Sequence, residues 1–94
     1  MFPFLPILFK LIIGGIVSIV VAGAVIGSLS DVDESVRKHA CKDAFKYRIE
    51  KAKARKINVG IFSESTDKLQ DLEIDTKDEI SSDIRNDLYQ WHYL

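Results

Sequence analysis

Residues Leu11 to Leu29 read LIIGGIVSIVVAGAVIGSL, nineteen consecutive positions without a charged side chain. As an α-helix this run is about 28 Å long, close to the ~30 Å hydrocarbon core of a bilayer. Eleven of its residues are Leu, Ile or Val, and each favours insertion into a bilayer by roughly 0.3–0.6 kcal/mol. Pro3 and Pro6 suit the first turn of a helix, whose N–H groups have no partner. The sequence therefore predicts one N-terminal transmembrane anchor within residues 1–29.

Positive charge around this run predicts its orientation. Lys10 is the only Lys or Arg before the run, and five follow soon after it: Arg37, Lys38, Lys42, Lys46 and Arg48. Cytoplasmic flanks carry the excess of Lys and Arg. We therefore expect a plasma-membrane or inner-membrane protein with its N-terminus outside and its C-terminal region in the cytoplasm. The same six basic residues are predicted to contact lipid headgroups or an acidic partner.

A cleaved secretory signal is an alternative interpretation of the N-terminus. Lys10 can supply its charge, residues 11–21 its apolar region and Ala22-Gly23-Ala24 its cleavage site. This interpretation gives a small secreted protein after cleavage near Ala24. The apolar run continues past Ala24 to Leu29, which favours the anchor.

Small residues recur through the run at helical spacing. On a transmembrane helix they form one smooth face that allows close approach of a second helix. The predicted packing residues are Gly14, Gly15, Ser18, Ala22, Gly23 and Gly27.

The rest of the chain divides by charge. Residues 31–56 contain nine Lys or Arg against five Asp or Glu, whereas residues 57–94 contain three against nine. Ser30 and Asp33 have the spacing of a helix-capping box, and apolar residues follow at helical intervals. We therefore expect a basic amphipathic juxtamembrane helix from Asp31 to about Lys56, within a segment of residues 30–60.

The acidic segment, residues 61–94, is predicted to be helical as well. Residues 57–62 (INVGIF) just before it are consistent with either a short strand or a bend. Thr76 and Glu79 have capping-box spacing and open a predicted helix. Its apolar stripe is predicted to contact a partner or a small core, and consists of Ile80, Ile84, Leu88 and Trp91. The fold class expected is all-α, with a hairpin of the basic and acidic helices as one arrangement.

No sequence motif indicates catalysis. The chain has no phosphate-binding loop or nucleophile motif. Cys41 is the only cysteine, and together with His39 it lacks the further ligands that a metal site needs. We expect no enzyme activity, cofactor, metal or small-molecule substrate. Nucleic-acid binding is disfavoured because acids interrupt the basic charge and an aromatic stacking platform is missing.

These features predict a single-pass membrane-anchored interaction or assembly protein, either an accessory subunit or a tether. Its partners would be the lipid bilayer and, through the transmembrane helix, another protein or a second copy. A membrane-active oligomer of the holin-like or toxin-like pore-forming type is the alternative. Ser18 and Ser28 are the polar positions that such a pore would use.

Overall fold

The computed structural model describes residues 7–94, with side chains from residue 12 onward apart from that of residue 13. In this part of the chain the elements are β1 Ile7–Ile13, β2 Ile16–Ala24, α1 Leu29–His39, β3 Lys46–Lys53, β4 Lys56–Phe62, β5 Lys68–Thr76, α2 Ser82–Arg85 and β6 His92–Tyr93. These strands form one sheet in the order β1-β2-β5-β4-β3-β6. β2 and β5 are parallel, and the other neighbouring strands are antiparallel.

A two-residue turn at Gly14 and Gly15 joins β1 to β2. Their φ angles are 57° and 82°, and a type I′ hairpin turn needs positive φ at both central positions. Ile13 lies opposite Ile16, and the register continues without a shift back to Ile7 at the start of β1. Ile and Val favour strands because their branched side chains pack well on a pleated surface. Most of the apolar run is therefore a β-hairpin.

α1 packs against one face of the sheet. Val32 and Val36 on this helix are 1% and 0% exposed. The Asp31 carboxylate fixes the start of the helix, since it accepts hydrogen bonds from the backbone N–H groups of Gly27 (2.7 Å) and Ser28 (3.1 Å). Alternate residues of the strands complete the core beneath the helix: Ile19, Val21, Tyr47, Ile49, Ile57, Val59, Ile61, Leu72 and Ile74. The other residues of these strands make up the opposite face, which we call the open face.

The predicted all-α fold and its transmembrane helix are wrong. Within residues 7–94 we find no helix with both the length and the apolar character needed to cross a bilayer. Residues 11–29 instead complete β1, form the turn and β2, and lead into α1. A hydropathy window measures only the length of an apolar run, and a hairpin with one buried face can supply the same length.

The conclusions that depended on that helix fail with it. These are the membrane localisation and its orientation, the membrane-anchored function and the pore-forming alternative. Cleavage near Ala24, the remaining alternative, would remove β1 and β2 from the sheet.

The predicted basic amphipathic helix from Asp31 to about Lys56 is wrong, because a short helix, a loop and a strand occupy these residues. α1 ends at His39 with Ala40 as its C-cap, and β3 follows after a short loop. Tyr47 and Ile49 of β3 are buried, while Lys46 and Arg48, which alternate with them, face the other way. The capping box is formed by Ser28 and Asp31, two residues before the predicted pair.

The acidic segment contains a strand where a helix was expected. Thr76 is the last residue of β5, and its hydroxyl donates to the Asp78 carbonyl (2.6 Å) instead of capping a helix. α2 spans only Ser82–Arg85. Residues 57–62, which the sequence left open between strand and bend, belong to β4.

Candidate functional site

β1 is the outer strand at one end of the sheet. Its seven residues pair with β2 along their whole length, and no described residue pairs with its other side. Ile12, near the end of the strand, has a side chain that is 66% exposed. β1 therefore presents a regular, unpaired strand edge.

The turn determines which backbone groups lie on this edge. Ile13 and Ile16 are the first and last residues of the turn, so the Ile16 N–H donates to the Ile13 carbonyl. Hydrogen-bonded and non-hydrogen-bonded pairs alternate along an antiparallel ladder. Leu8, Lys10 and Ile12 therefore have N–H and C=O groups that point away from β2. An unpaired row of such groups is a template for another strand.

The opposite edge, on β3, is covered by residues 88–94, which we call the tail. His92 and Tyr93 form β6 and pair with Tyr47 and Lys46. The Tyr89 N–H donates to the Ile49 carbonyl (2.8 Å), and the Leu94 N–H donates to the Phe45 carbonyl (2.9 Å). The two edges thus differ, because among residues 7–94 the chain closes only the β3 edge.

A charged and aromatic cluster occupies the open face above Gly60. A Cβ at Gly60 would lie 2.7 Å from both a Glu50 carboxylate oxygen and a ring carbon of Phe62, so only glycine leaves room for these side chains. Glu50 accepts from Lys68 (2.6 Å) and from Arg48 (3.3 Å). Burial alone would lower the pKa of Lys68, but its hydrogen bonds to Glu50 and Asp71 outweigh that effect and raise it. Lys68 is therefore held charged, paired with Glu50 and Asp71.

A shallow depression of about 470 Å³ lies beside this cluster, over β2, β5, β4 and β3. Six of its eight lining residues are polar or charged, and the eight are Ser18, Ile19, Val20, Glu50, Lys51, Asn58, Asp71 and Glu73. Within residues 7–94 no three His, Cys, Asp or Glu side chains are placed to hold a metal ion. The depression resembles the solvated face of a half-covered sheet more than an enclosed ligand pocket.

A hydrogen-bond network links α1, β3 and the tail. The Tyr47 hydroxyl donates to Asp33 (2.7 Å), and Arg37 donates to the other oxygen of that carboxylate (2.7 Å). The bond from Tyr47, together with Arg37, lowers the pKa of Asp33. Burial and the neighbouring carboxylate raise the pKa of Tyr47. The His92 ring stacks on Tyr47 at 5.0 Å, so the network also reaches the tail.

The predicted helix-packing residues do not share one surface. Gly14 and Gly15 form the turn, and Gly23 has a φ of 76° at an irregularity near the end of β2. Ser18 lines the open-face depression, Ala22 lies opposite Ile7 in the hairpin, and Gly27 precedes α1. The side chain of Lys10 lies outside those described.

The predicted basic contact residues are divided between two parts of the molecule. Arg37 and Lys38 end α1, Lys42 follows in the loop, and Lys46 and Arg48 lie on β3. Lys46 and Arg48 contact the ring of Trp91, at 4.5 Å and 4.7 Å from its centre. Only these two therefore belong to the open-face cluster.

The predicted C-terminal stripe is also divided. Ile80 and Ile84 are 4% and 0% exposed and belong to the core. Leu88 is 38% exposed, and Trp91 is half-buried against Phe62, with ring centres 5.0 Å apart. The four residues do not lie on one helix, because α2 ends at Arg85.

Three features of the site were missed by the sequence interpretation. The first is the β1–β2 hairpin, whose turn the Gly-Gly pair between two β-branched runs indicates. The second is the aromatic and cationic environment of Trp91, to which no local pattern points. The third is Gln70, 3% exposed, which accepts from the Cys41 N–H and donates to the His39 carbonyl. Gln70 thereby ties the end of α1 to the sheet.

No protein-family model matches the chain, and no curated protein or solved structure matches it either. The described fold defines the class of the domain, a mixed β-sheet with a helix on one face. A fold of this kind does not specify an activity, which depends instead on the geometry of the two edges and the open face.

Proposed function

We propose that this chain is a self-associating β-sheet module, in which the β1 edges of two copies pair and form one continuous sheet. The observation that carries the proposal is the contrast between the edges. β1 is regular and unpaired among the described residues, whereas the chain's own tail closes β3. Strand addition at a sheet edge is an established mode of protein recognition.

The geometry of the edge supports a symmetric pair. A strand of seven residues is about 23 Å long. A two-fold axis perpendicular to the sheet makes two β1 strands antiparallel and keeps both α1 helices on the same face. In full register the axis passes by Lys10, and Leu8 of one copy lies opposite Ile12 of the other. The outward groups of these positions then form about six ladder hydrogen bonds.

Lys10 limits the strength of this association. Full register places the Lys10 residues of the two copies beside each other, and like charges at opposite positions destabilise a strand pair. Lysine in an edge strand is a common means of restraining edge-to-edge pairing. The proposal therefore describes a weak, reversible dimer, whose affinity increases with salt because salt screens the repulsion.

This proposal retains one expectation from the sequence, self-association without enzyme activity. It replaces the mechanism, since main-chain hydrogen bonds at a strand edge take the place of helix packing.

The test compares substitutions at Ile12 by sedimentation equilibrium from about 10 μM to about 1 mM, the range of a weak dimer. Ile12→Pro removes one outward N–H but none of the bonds to β2. We expect it to weaken the dimer at least about tenfold, the equivalent of ~1.4 kcal/mol. Ile12→Thr is the matched control, because it changes the side chain and keeps the N–H. We expect its affinity to stay within about threefold of the parent chain.

Circular dichroism verifies that both variants remain folded. A parent chain that is monomeric at every concentration would contradict the proposal. Equal dimer affinity of the parent chain and the Ile12→Pro variant would place the contact elsewhere.

A further inference from the structure

The tail has the contacts of a bound peptide. It lies along the outer edge of β3, and its backbone donates to the carbonyls of Ile49 and Phe45 at the two ends of the contact. Between these ends, β6 adds two residue pairs to the sheet. The edge of β3 is therefore a strand-binding site that is filled by a segment of the same chain.

Side chains give this site its selectivity. The Trp91 ring meets Phe62 edge-on at 5.0 Å and an interplanar angle of 87°. The Arg48 guanidinium lies 4.7 Å from the centre of the Trp91 ring and 5.2 Å from that of Tyr89. Tyr93 packs edge-on against Phe45 at 5.8 Å. Aromatic side chains over cations and rings are typical anchors of peptide recognition.

The first residues of the tail are suited to release from the β3 edge. Tyr89 has a φ of 62°, a left-handed conformation that is strained for a bulky residue. β6 is only two residues long, and Leu88, Tyr89 and Tyr93 remain 38%, 57% and 60% exposed. Segments with few buried contacts open at lower free energy than the core. The tail can thus leave the described sheet at a lower free energy than the core strands.

We infer that the β3 edge is a peptide-binding site for an extended, Trp-containing segment, and that the chain's own tail occupies it as a reversible latch. A released edge takes the same segment from a second copy of the chain. Each contact made by the tail in one chain is then available between two chains. This inference does not depend on pairing at β1, which lies at the other end of the sheet.

The experiment uses a synthetic peptide of residues 87–94 with a fluorescent label at its N-terminus. Its binding is measured by fluorescence anisotropy to the full chain and to the full-length Trp91→Ala variant. The intact tail competes at high effective concentration, so we expect the variant to bind the peptide at least about tenfold more tightly than the parent chain. A control peptide with Ala at position 91 should bind the variant at least about tenfold more weakly than the Trp peptide.

Arg48 supplies an independent check on the site. Combining Arg48→Ala with Trp91→Ala removes a cation from the site, and we expect peptide affinity to fall by about tenfold. Equal binding of the Trp and Ala peptides, or no binding to the Trp91→Ala variant, would overturn the inference.

Hydrogen exchange on the unmodified chain keeps the inference testable if a variant fails to fold. The amides of Tyr89 and Leu94 should exchange at least about tenfold faster than those of β4, because the latch opens without unfolding of the sheet. Exchange of these two amides at the β4 rate would equally overturn it.

Discussion

The hydroxyl of Tyr47 offers a sharp test of how α1 is held to the sheet. Tyr47 is 3% exposed, and its hydroxyl donates to Asp33 at 2.7 Å. Tyr47→Phe removes this bond and leaves the ring, and therefore its stacking on His92, in place. A hydrogen bond to a charged group contributes about 1.5–3 kcal/mol. The Asp33 side chain is 37% exposed and keeps its ion pair with Arg37 in the variant. Water and Arg37 therefore replace part of the lost hydrogen bond. We expect a loss of about 1–2 kcal/mol in the free energy of unfolding at pH 7.

The effect should depend on pH in a defined direction. The pKa of Asp33 is lower in the folded chain than its ordinary value of 3.8. The contribution of Asp33 is therefore present above that value and is lost as the pH falls through the folded pKa. The difference between the parent chain and Tyr47→Phe should shrink below about pH 4. The pKa of Tyr47 is raised from 10.0, so its contribution to stability should be lost as the pH rises above that value, and the parent chain should lose more stability there than the variant.

Urea unfolding followed by far-UV circular dichroism measures the free energy of unfolding of each variant at each pH. One protein concentration is used throughout, because dimerisation adds to apparent stability. A double-mutant cycle with Asp33→Asn isolates the pair from other effects of each substitution. A coupling energy below about 0.5 kcal/mol at pH 7, or a Tyr47→Phe effect that is the same at pH 3 and pH 7, would refute the reasoning.

Two further predictions concern glycines. Gly15 has a φ of 82° in the hairpin turn, so Gly15→Ala should destabilise the chain by about 1–2 kcal/mol. Gly14→Asn should change the stability by less than about 0.5 kcal/mol, because Asn-Gly suits the same turn. Equal effects of the two substitutions in thermal unfolding would contradict the turn type. Gly60→Val should lower the free energy of unfolding by about 1–3 kcal/mol through overpacking. It should also shift the fluorescence of Trp91, since the added atoms meet Phe62 and Glu50. An unchanged spectrum would show that the ring of Phe62 is free to move aside.

Some local signals in the sequence were informative even where the fold class was wrong. A helix start near residue 30 was predicted from Ser and Asp at capping spacing, and the actual cap uses another Ser-Asp pair two residues earlier. Both pairs fit the same rule, and local sequence does not choose between them. The choice depends on Val32 and Val36, which must face the sheet.

Polar and charged residues within β3 and β5 obscure the sequence pattern of these strands. β3 carries Lys or Arg at four of its eight positions, a charge pattern that predicts part of a basic helix. In β5 the buried residues are Gln70, Leu72, Ile74 and Thr76, so two of the four are polar and the apolar alternation is weak. Gln70 can be buried because the loop after α1 satisfies its amide. That partner is distant in sequence and gives no local signal.

The candidate site was less predictable than the fold. Trp91 can be recognised from sequence as an aromatic anchor. Its neighbours Phe62 and Arg48 cannot be identified in this way, since they come from two other strands. The free edge of β1 is a property of strand order. It follows only once β2 is known to lie between β1 and β5.

The parallel pairing of β2 with β5 also determines when the sheet can form during synthesis of the chain. Val17 pairs with Gln70, about fifty residues later in the chain. Contacts of such long range form slowly, and a ribosome takes several seconds to add the residues between them. Throughout that interval the hairpin of Ile and Val emerges without its neighbour strand. We therefore expect nascent chains that stop before β5 to be bound by chaperones at residues 11–29, and chains extended past Thr76 to be released.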